Sequence, residues 1–221
     1  MFHGKHAEER LDRAASWACM ELDTQEYQAL GAFSEWLGTE AVEAGGVGPM
    51  EASRIIDRHV ADSLVFAGVW GDVPDRTLDV GAGVGLPSIP LAITHPRTKF
   101  TLVDRSERRC RLARRAVRIL GLQNVSVEQR DIQLEAGTWP SVLFRASLPP
   151  DQALAVAAPL LDVGGSAVVG LSRTAEPTRL PPAPPGTETD LVHIGIGVLD
   201  SPAWLLRMRK TEPRTKDGNL S

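Results

Sequence analysis

The chain has 221 residues, with 24 Lys and Arg against 28 Asp and Glu, for a formal net charge of −4. That balance excludes a uniformly basic polyanion binder, though not a local basic face, because binding depends on where charge sits. Hydrophobic residues make up 43% of the chain, enough for a buried core, and no apolar run is long enough to span a membrane.

The N-terminus, Met1-Phe2-His3-Gly4-Lys5-His6, has no apolar stretch ahead of its first charges, so no secretion signal is expected. The two cysteines, Cys19 and Cys110, lack metal-ligand spacing and are expected to be free thiols in a reducing cytoplasm. A cytoplasmic monomer without metal or membrane attachment is the expectation.

In chain order, Ala7–Leu37 has apolar residues close to the helical period, and Gly45-Gly46-Val47-Gly48-Pro49 interrupts it. A further helix is predicted over Met50–Ala67. From Pro74 the character changes. Short strands are predicted at Arg76–Val80, Phe100–Asp104, Val125–Glu128, Val142–Phe144 and Ser166–Leu171, with helices over Pro87–Ile93, Glu107–Leu120 and Asp151–Leu161. Strands alternating with helices of this length predict a doubly wound, mostly parallel sheet. The proline-rich segment Thr178–Thr189 is predicted as a loop, and Leu191–Leu199 and Trp204–Met208 as an antiparallel hairpin. The expected organisation is an N-terminal helical extension (1–70), a methyltransferase-type α/β domain (71–212) and a polar tail (213–221). The sheet would be the seven-stranded sheet of class I S-adenosylmethionine-dependent methyltransferases.

The most informative stretch is Asp79-Val80-Gly81-Ala82-Gly83-Val84-Gly85-Leu86. A strand ends, and glycines let the backbone turn tightly and approach a ligand. A dinucleotide-binding turn would put its third glycine where Leu86 stands, and no P-loop lysine follows. Both alternatives bind phosphates, which S-adenosylmethionine lacks. Asp104, ending the second strand, is placed to accept hydrogen bonds from ribose hydroxyls, and Asp131, after the third, to meet an adenine amino group. Asp79 would orient the turn or face the methionine amino group.

Gly85-Leu86-Pro87-Ser88-Ile89-Pro90-Leu91-Ala92 resembles the G-L-P-G-I-P-L-A signature of the bacterial RsmG (GidB) family, the small-subunit rRNA guanine-N7 methyltransferases. Arg58-His59-Val60-Ala61-Asp62-Ser63-Leu64, Thr101-Leu102-Val103-Asp104-Arg105-Ser106 and Phe144-Arg145-Ala146 resemble further segments of that family in order. The resemblance implies a cofactor site on Gly81, Gly83, Leu86 and Asp104, joined by Asp131, Ile132 and Arg145. It also implies that His59 and Asp62 lie on a helix ordering the site. The chain departs from the family at Ser88, in Ala146–Pro150 and at Ser172–Arg173, and it lacks an N-L-T tripeptide in Thr39–Pro49.

Guanine N7 carries an exposed lone pair and the leaving sulfonium departs neutral, so positioning alone can carry the transfer. The absence of an evident nucleophile–base pair fits this. Arg145, just after a core strand, is the candidate catalytic residue, contacting the cofactor carboxylate or the target base. The helix after Asp104 carries Arg108, Arg111, Arg115 and Arg118 on one face. Arg108, Arg111 and Arg115, with His59, are candidate contacts for rRNA or the small ribosomal subunit; a merely solvated charged face is the alternative. A small-molecule methyltransferase on the same core and a non-catalytic paralogue also remain open.

Overall fold

Strand and helix alternate from Arg76 onward in the computed structural model, which describes residues 4–171, 177 and 179–212. The Ser172–Arg173 step and the tail 213–221 lie outside the described residues. Five strands, β1 (Arg76–Val80), β2 (Lys99–Asp104), β3 (Val125–Gln129), β4 (Trp139–Arg145) and β5 (Leu161–Gly170), run parallel to one another. They are followed by β6 (Thr187–Ile194) and β7 (Ala203–Lys210), with β7 antiparallel to both β5 and β6. The seven strands lie in the order β3-β2-β1-β4-β5-β7-β6. The order reverses between β1 and β4, so their C-terminal ends form the crevice where open α/β sheets take ligands.

Side chains alternate across each strand. Leu78, Val80, Val103, Val142 and Phe144 point to one face and pack against α6 (Pro150–Leu160) through Ala153, Leu154 and Ala157. Phe100, Leu102, Leu143 and Val168 point to the other face, which α4 (Ser88–Thr94) and α5 (Glu107–Leu120) cover through Ile89, Leu91, Ala113 and Ala116. The N-terminal helices α1 (Gly4–Trp17) and α2 (Thr24–Trp36) pack on this second face. Leu11, Leu30 and Phe33 belong to the same hydrophobic cluster as Phe100, so the extension and the sheet share one core.

The extension is more broken than its periodicity predicts. Ala7–Leu37 divides at Ala18–Asp23, where Cys19 takes a positive φ of 57°. Asp23 restarts the helix as a capping box: its carboxylate accepts from the N–H groups of Gln25 and Glu26, and Glu26 accepts from the N–H of Asp23. The Asp23-x-x-Glu26 spacing is the sequence signal for that start. In place of the single helix predicted over Met50–Ala67, the segment forms a 3₁₀ turn (Pro49–Arg54), a π turn (Ile56–Val60), the short α3 (Ala61–Leu64) and a second 3₁₀ turn (Ala67–Val69). The hairpin begins earlier than predicted, because β6 starts at Thr187. There Leu191 and Val192 pair with Leu206 and Leu205, and the polar start of the strand pairs with Arg209 and Lys210.

Asp79 is fully buried at the end of β1, on the α4 side of the sheet. Burial pushes its carboxyl up to about 7, against the opposing pull of the Ser88 hydroxyl and N–H and of the Arg145 guanidinium. Neither of its oxygens reaches a hydrogen-bond partner of ordinary geometry.

Replacing Asp23 by Ala removes the cap, and urea denaturation is expected to show a loss of about 1 kcal/mol. At Asp79 the folded chain holds a proton that the unfolded chain has released between about pH 4 and 7. The stability Asp79 contributes is therefore present below that window and lost as pH rises through it. The melting temperature should fall from pH 5 to 8 in the natural chain and fall less steeply in Asp79→Asn; parallel slopes would contradict the buried neutral acid.

Candidate active site

Two cavities open at the C-terminal ends of the central strands. The first, of about 360 Å³, lies beside the β1 turn and is lined by Gly81, Asp104, Asp131, Ile132, Ser147 and Gln152, among others. Gly81 has φ +71°, and a Cβ there would lie 2.4 Å from the Cβ of Ser147. Only glycine lets the segment after β4 cross so close to the turn. Gly85 has φ +101°, and a Cβ there would stand 2.3 Å from Cδ1 of Ile89, so this glycine lets α4 close onto the turn.

Asp104 organises this mouth. One carboxylate oxygen accepts from the N–H of Gly83 at 3.1 Å and the other from the N–H of Ser106 at 2.8 Å. Ser106 in turn caps α5 through the N–H of Arg109. A carboxylate has about four acceptor positions, so capacity remains on both oxygens for donors from the cleft. Asp131 ends the opposite wall, with one oxygen engaged by the N–H of Gln133 at 3.1 Å, and Ile132 follows it as a half-buried apolar surface.

The cleft thus gathers Gly81, Asp104, Asp131 and Ile132. Gly83 contributes through its bond to Asp104. The side chain of Leu86 turns into the hydrophobic core, and Asp79 is sealed beneath the turn. Neither side chain lines the cleft.

Arg145 belongs to the second cavity. This space of about 250 Å³ lies on the face covered by the extension and is lined by Glu51, Arg58, His59, Asp62, Arg145 and Trp204, among others. The Arg145 guanidinium donates to the carbonyl of Arg58 at 2.5 Å, sits 3.3 Å from Nδ1 of His59 and lies 3.8 Å from Asp62. Burial lowers its pKa to about 10, with the Asp79 carboxylate pulling the other way, so it remains a cation at neutral pH. Nε2 of His59 lies 3.5 Å from Glu51. Ala146, the next residue, takes φ +53° and lines both cavities, so the two spaces stand back to back across a single alanine.

The arginines of α5 divide. Arg108 donates to the carbonyl of Gly45 at 2.8 Å, and Arg115 bonds both oxygens of Glu40 at 3.1 and 3.3 Å, so both fasten α5 to the extension. Arg111 is exposed and lies 3.6 Å from Glu107 one turn back, and Arg118 is exposed beyond it. Sequence reasoning passed over Glu51 and Ser147. Glu51 carries no motif signal, because it comes to the site through an irregular 3₁₀ turn. The signal for Ser147 lay in Gly81, whose missing Cβ it approaches.

The comparisons with known proteins bear on the family of this chain. The model of the family GidB, rRNA small subunit methyltransferase G, matches residues 26–176. A ribosomal RNA small subunit methyltransferase G from Frankia casuarinae is 35% identical over 196 residues, covering 83% of this chain and 73% of that protein. Its counterpart from Mycobacterium avium is 34% identical over 191 residues, covering 82% and 77%. Among solved structures, a Klebsiella pneumoniae protein assigned as an O-methyltransferase shares the fold, with TM-score 0.56 at 11% identity over 88% of this chain and 93% of that one. With more than half of its length matched by the family model, the chain belongs to the GidB family of rRNA small subunit methyltransferases.

Proposed function

We propose that the chain transfers a methyl group from S-adenosylmethionine to N7 of a guanine in the 16S rRNA of the small ribosomal subunit, in the cytoplasm. The observation that carries this reading is the pair of cavities meeting at Ala146. One has the carboxylates and the glycine cradle of a nucleoside-type cofactor; the other has the charged walls of a polar acceptor.

The cofactor, when bound, supplies an electrophilic methyl group on a sulfonium that leaves as a neutral thioether. Asp104 and Asp131 would hold its ribose and adenine ends, with Ile132 against the adenine ring, and the Gly81 backbone would pass beside its centre. The residues present fit such a group: the cleft offers acceptors for hydroxyls and an amine, and of the arginines on its wall Arg130 is paired with Glu128 and Glu135 and Arg109 lies 3.8 Å from Asp104, with Arg105 beside them. On the acceptor side, the N7 lone pair forms the new N–C bond while the C–S electrons pass to sulfur, and no proton moves. The protein's task is then alignment and exclusion of water. Arg145 holds the acceptor wall in place through Arg58 and His59.

Small ribosomal subunits lacking the modification, incubated with this protein and labelled S-adenosylmethionine, should gain label in 16S rRNA at a guanine. Transfer to metabolites without label in the rRNA would instead support a small-molecule methyltransferase. Gly81→Ala places a methyl group where Ser147 lies and demands a disfavoured φ. Calorimetry with S-adenosylhomocysteine should show binding weakened by roughly tenfold or more, a loss of about 1.4 kcal/mol.

A further inference from the structure

We infer that Glu51 is the residue that selects guanine: its carboxylate receives the N1–H and 2-amino N–H groups of the base in the cavity beneath the extension. This rests on the guanine-N7 reading above and assigns the acceptor side of that site. The cavity, at about 250 Å³, is at the small end of ligand pockets and suits one base rather than a whole nucleotide. Its two carboxylates differ in availability. Asp62 faces the buried guanidinium of Arg145, whereas the side chain of Glu51 is 38% exposed at the rim, where a base must enter.

The ring of His59 presents its proton toward Glu51. Arg145 can only donate, so Nδ1 of His59, 3.3 Å away, accepts and carries no proton. The imidazole proton is then on Nε2, which faces Glu51 at 3.5 Å. At that separation the two make an electrostatic contact rather than a hydrogen bond of ordinary geometry, and the Glu51 carboxylate lines the cavity. An ionised carboxylate is acceptor-only, and guanine is the purine that presents two adjacent donors on its Watson–Crick edge. Adenine presents an acceptor at N1 and is repelled.

The same contact favours the reaction. As N7 forms its bond to the methyl carbon, the base becomes a cation and its N1–H becomes more acidic. A carboxylate on that edge binds the methylating base more strongly than the neutral one, so the interaction grows toward the transition state. Recognition and rate therefore share one group.

The test uses reconstituted small subunits carrying either guanosine or inosine at the target position; inosine keeps N1–H and N7 but lacks the 2-amino group. The natural chain should methylate guanosine with a kcat/KM about 10- to 100-fold above inosine, the discrimination expected of a bidentate contact. Glu51→Gln should lose a similar factor on guanosine, with part of the loss in kcat, and should no longer distinguish the two substrates. Glu51→Asp, which keeps the charge, should recover part of the rate and of the preference. Both variants should keep the melting temperature and the affinity for S-adenosylhomocysteine, since the cofactor cleft is across Ala146. A Glu51→Gln protein that stays active and still prefers guanosine would overturn the assignment alone. A natural chain that binds S-adenosylhomocysteine yet labels neither substrate would overturn the rRNA reading and this assignment with it.

Discussion

A guanidinium largely withdrawn from water needs acceptors, and where Arg145 finds them fixes much of this molecule. N–H donors that lose water are costly unless paired. The strand that carries Arg145 ends in a hydrophobic sheet, so the partners come from outside it: the carbonyl of Arg58, the ring of His59 and the carboxylate of Asp62. All three stand on the irregular segment between the N-terminal helices and β1. The extension is thereby anchored to the end of β4, and the space left beneath the anchor is the second cavity. Ala146 must then turn sharply out of the strand, and its positive φ is a local strain that the Arg145 contacts and the Ser147 approach to Gly81 together sustain.

Two carboxylates at neighbouring strand ends show how position sets chemistry. Asp104 receives two backbone N–H groups and opens on the cleft beside the β1 turn, so its charge is solvated by the protein itself. Asp79 lies one strand away, fully buried, where the Ser88 hydroxyl and N–H and the Arg145 charge only partly offset desolvation, and its carboxyl is pushed up to about 7. Desolvation dominates at Asp79 because the glycine turn folds over it and α4 closes behind. The same turn therefore presents one acid to a ligand and seals another inside. Motif reading placed both residues at the site, and three-dimensional packing assigned them different surroundings.

The central strands were legible in the sequence because β1, β2 and β4 carry short apolar runs bounded by turn residues, and Glu107–Leu120 coincides with the observed α5, whereas β5 and β6 begin ahead of their predicted starts, at Leu161 and Thr187. The mouth of the site was legible for the same reason: a glycine turn followed by acids at successive strand ends can be placed from topology alone. The extension was less so. Its apolar residues keep a helical period through Ala18–Asp23, and only the cap at Asp23 reveals the break. Residues 49–69 alternate between 3₁₀, π and α turns because their side chains follow a curved core surface and Arg145, contacts far away in sequence. Leu86 shows a further limit, since a residue can belong to a ligand-binding motif by shaping the turn while its side chain packs in the core.

The arginine helix bears on how an acidic chain can handle RNA. A basic stripe suggests a plate for phosphates, yet Arg108 and Arg115 spend their donors on Gly45 and Glu40 and hold the extension against α5. That leaves Arg111 and Arg118 of this stripe facing solvent; of the other exposed arginines, Arg114 is tied to the carbonyl of Val127 and Arg109 lies 3.8 Å from Asp104, while the chain as a whole carries a net charge of −4. On the rRNA reading, discrimination then falls to the small charged cavity and to the fit of the surrounding surface against a folded ribosomal subunit. This is the arrangement expected where the substrate arrives already structured, because shape can replace the diffuse attraction that free RNA would require. The arginines that fasten the extension serve that fit indirectly, since the extension carries the segment that walls the second cavity.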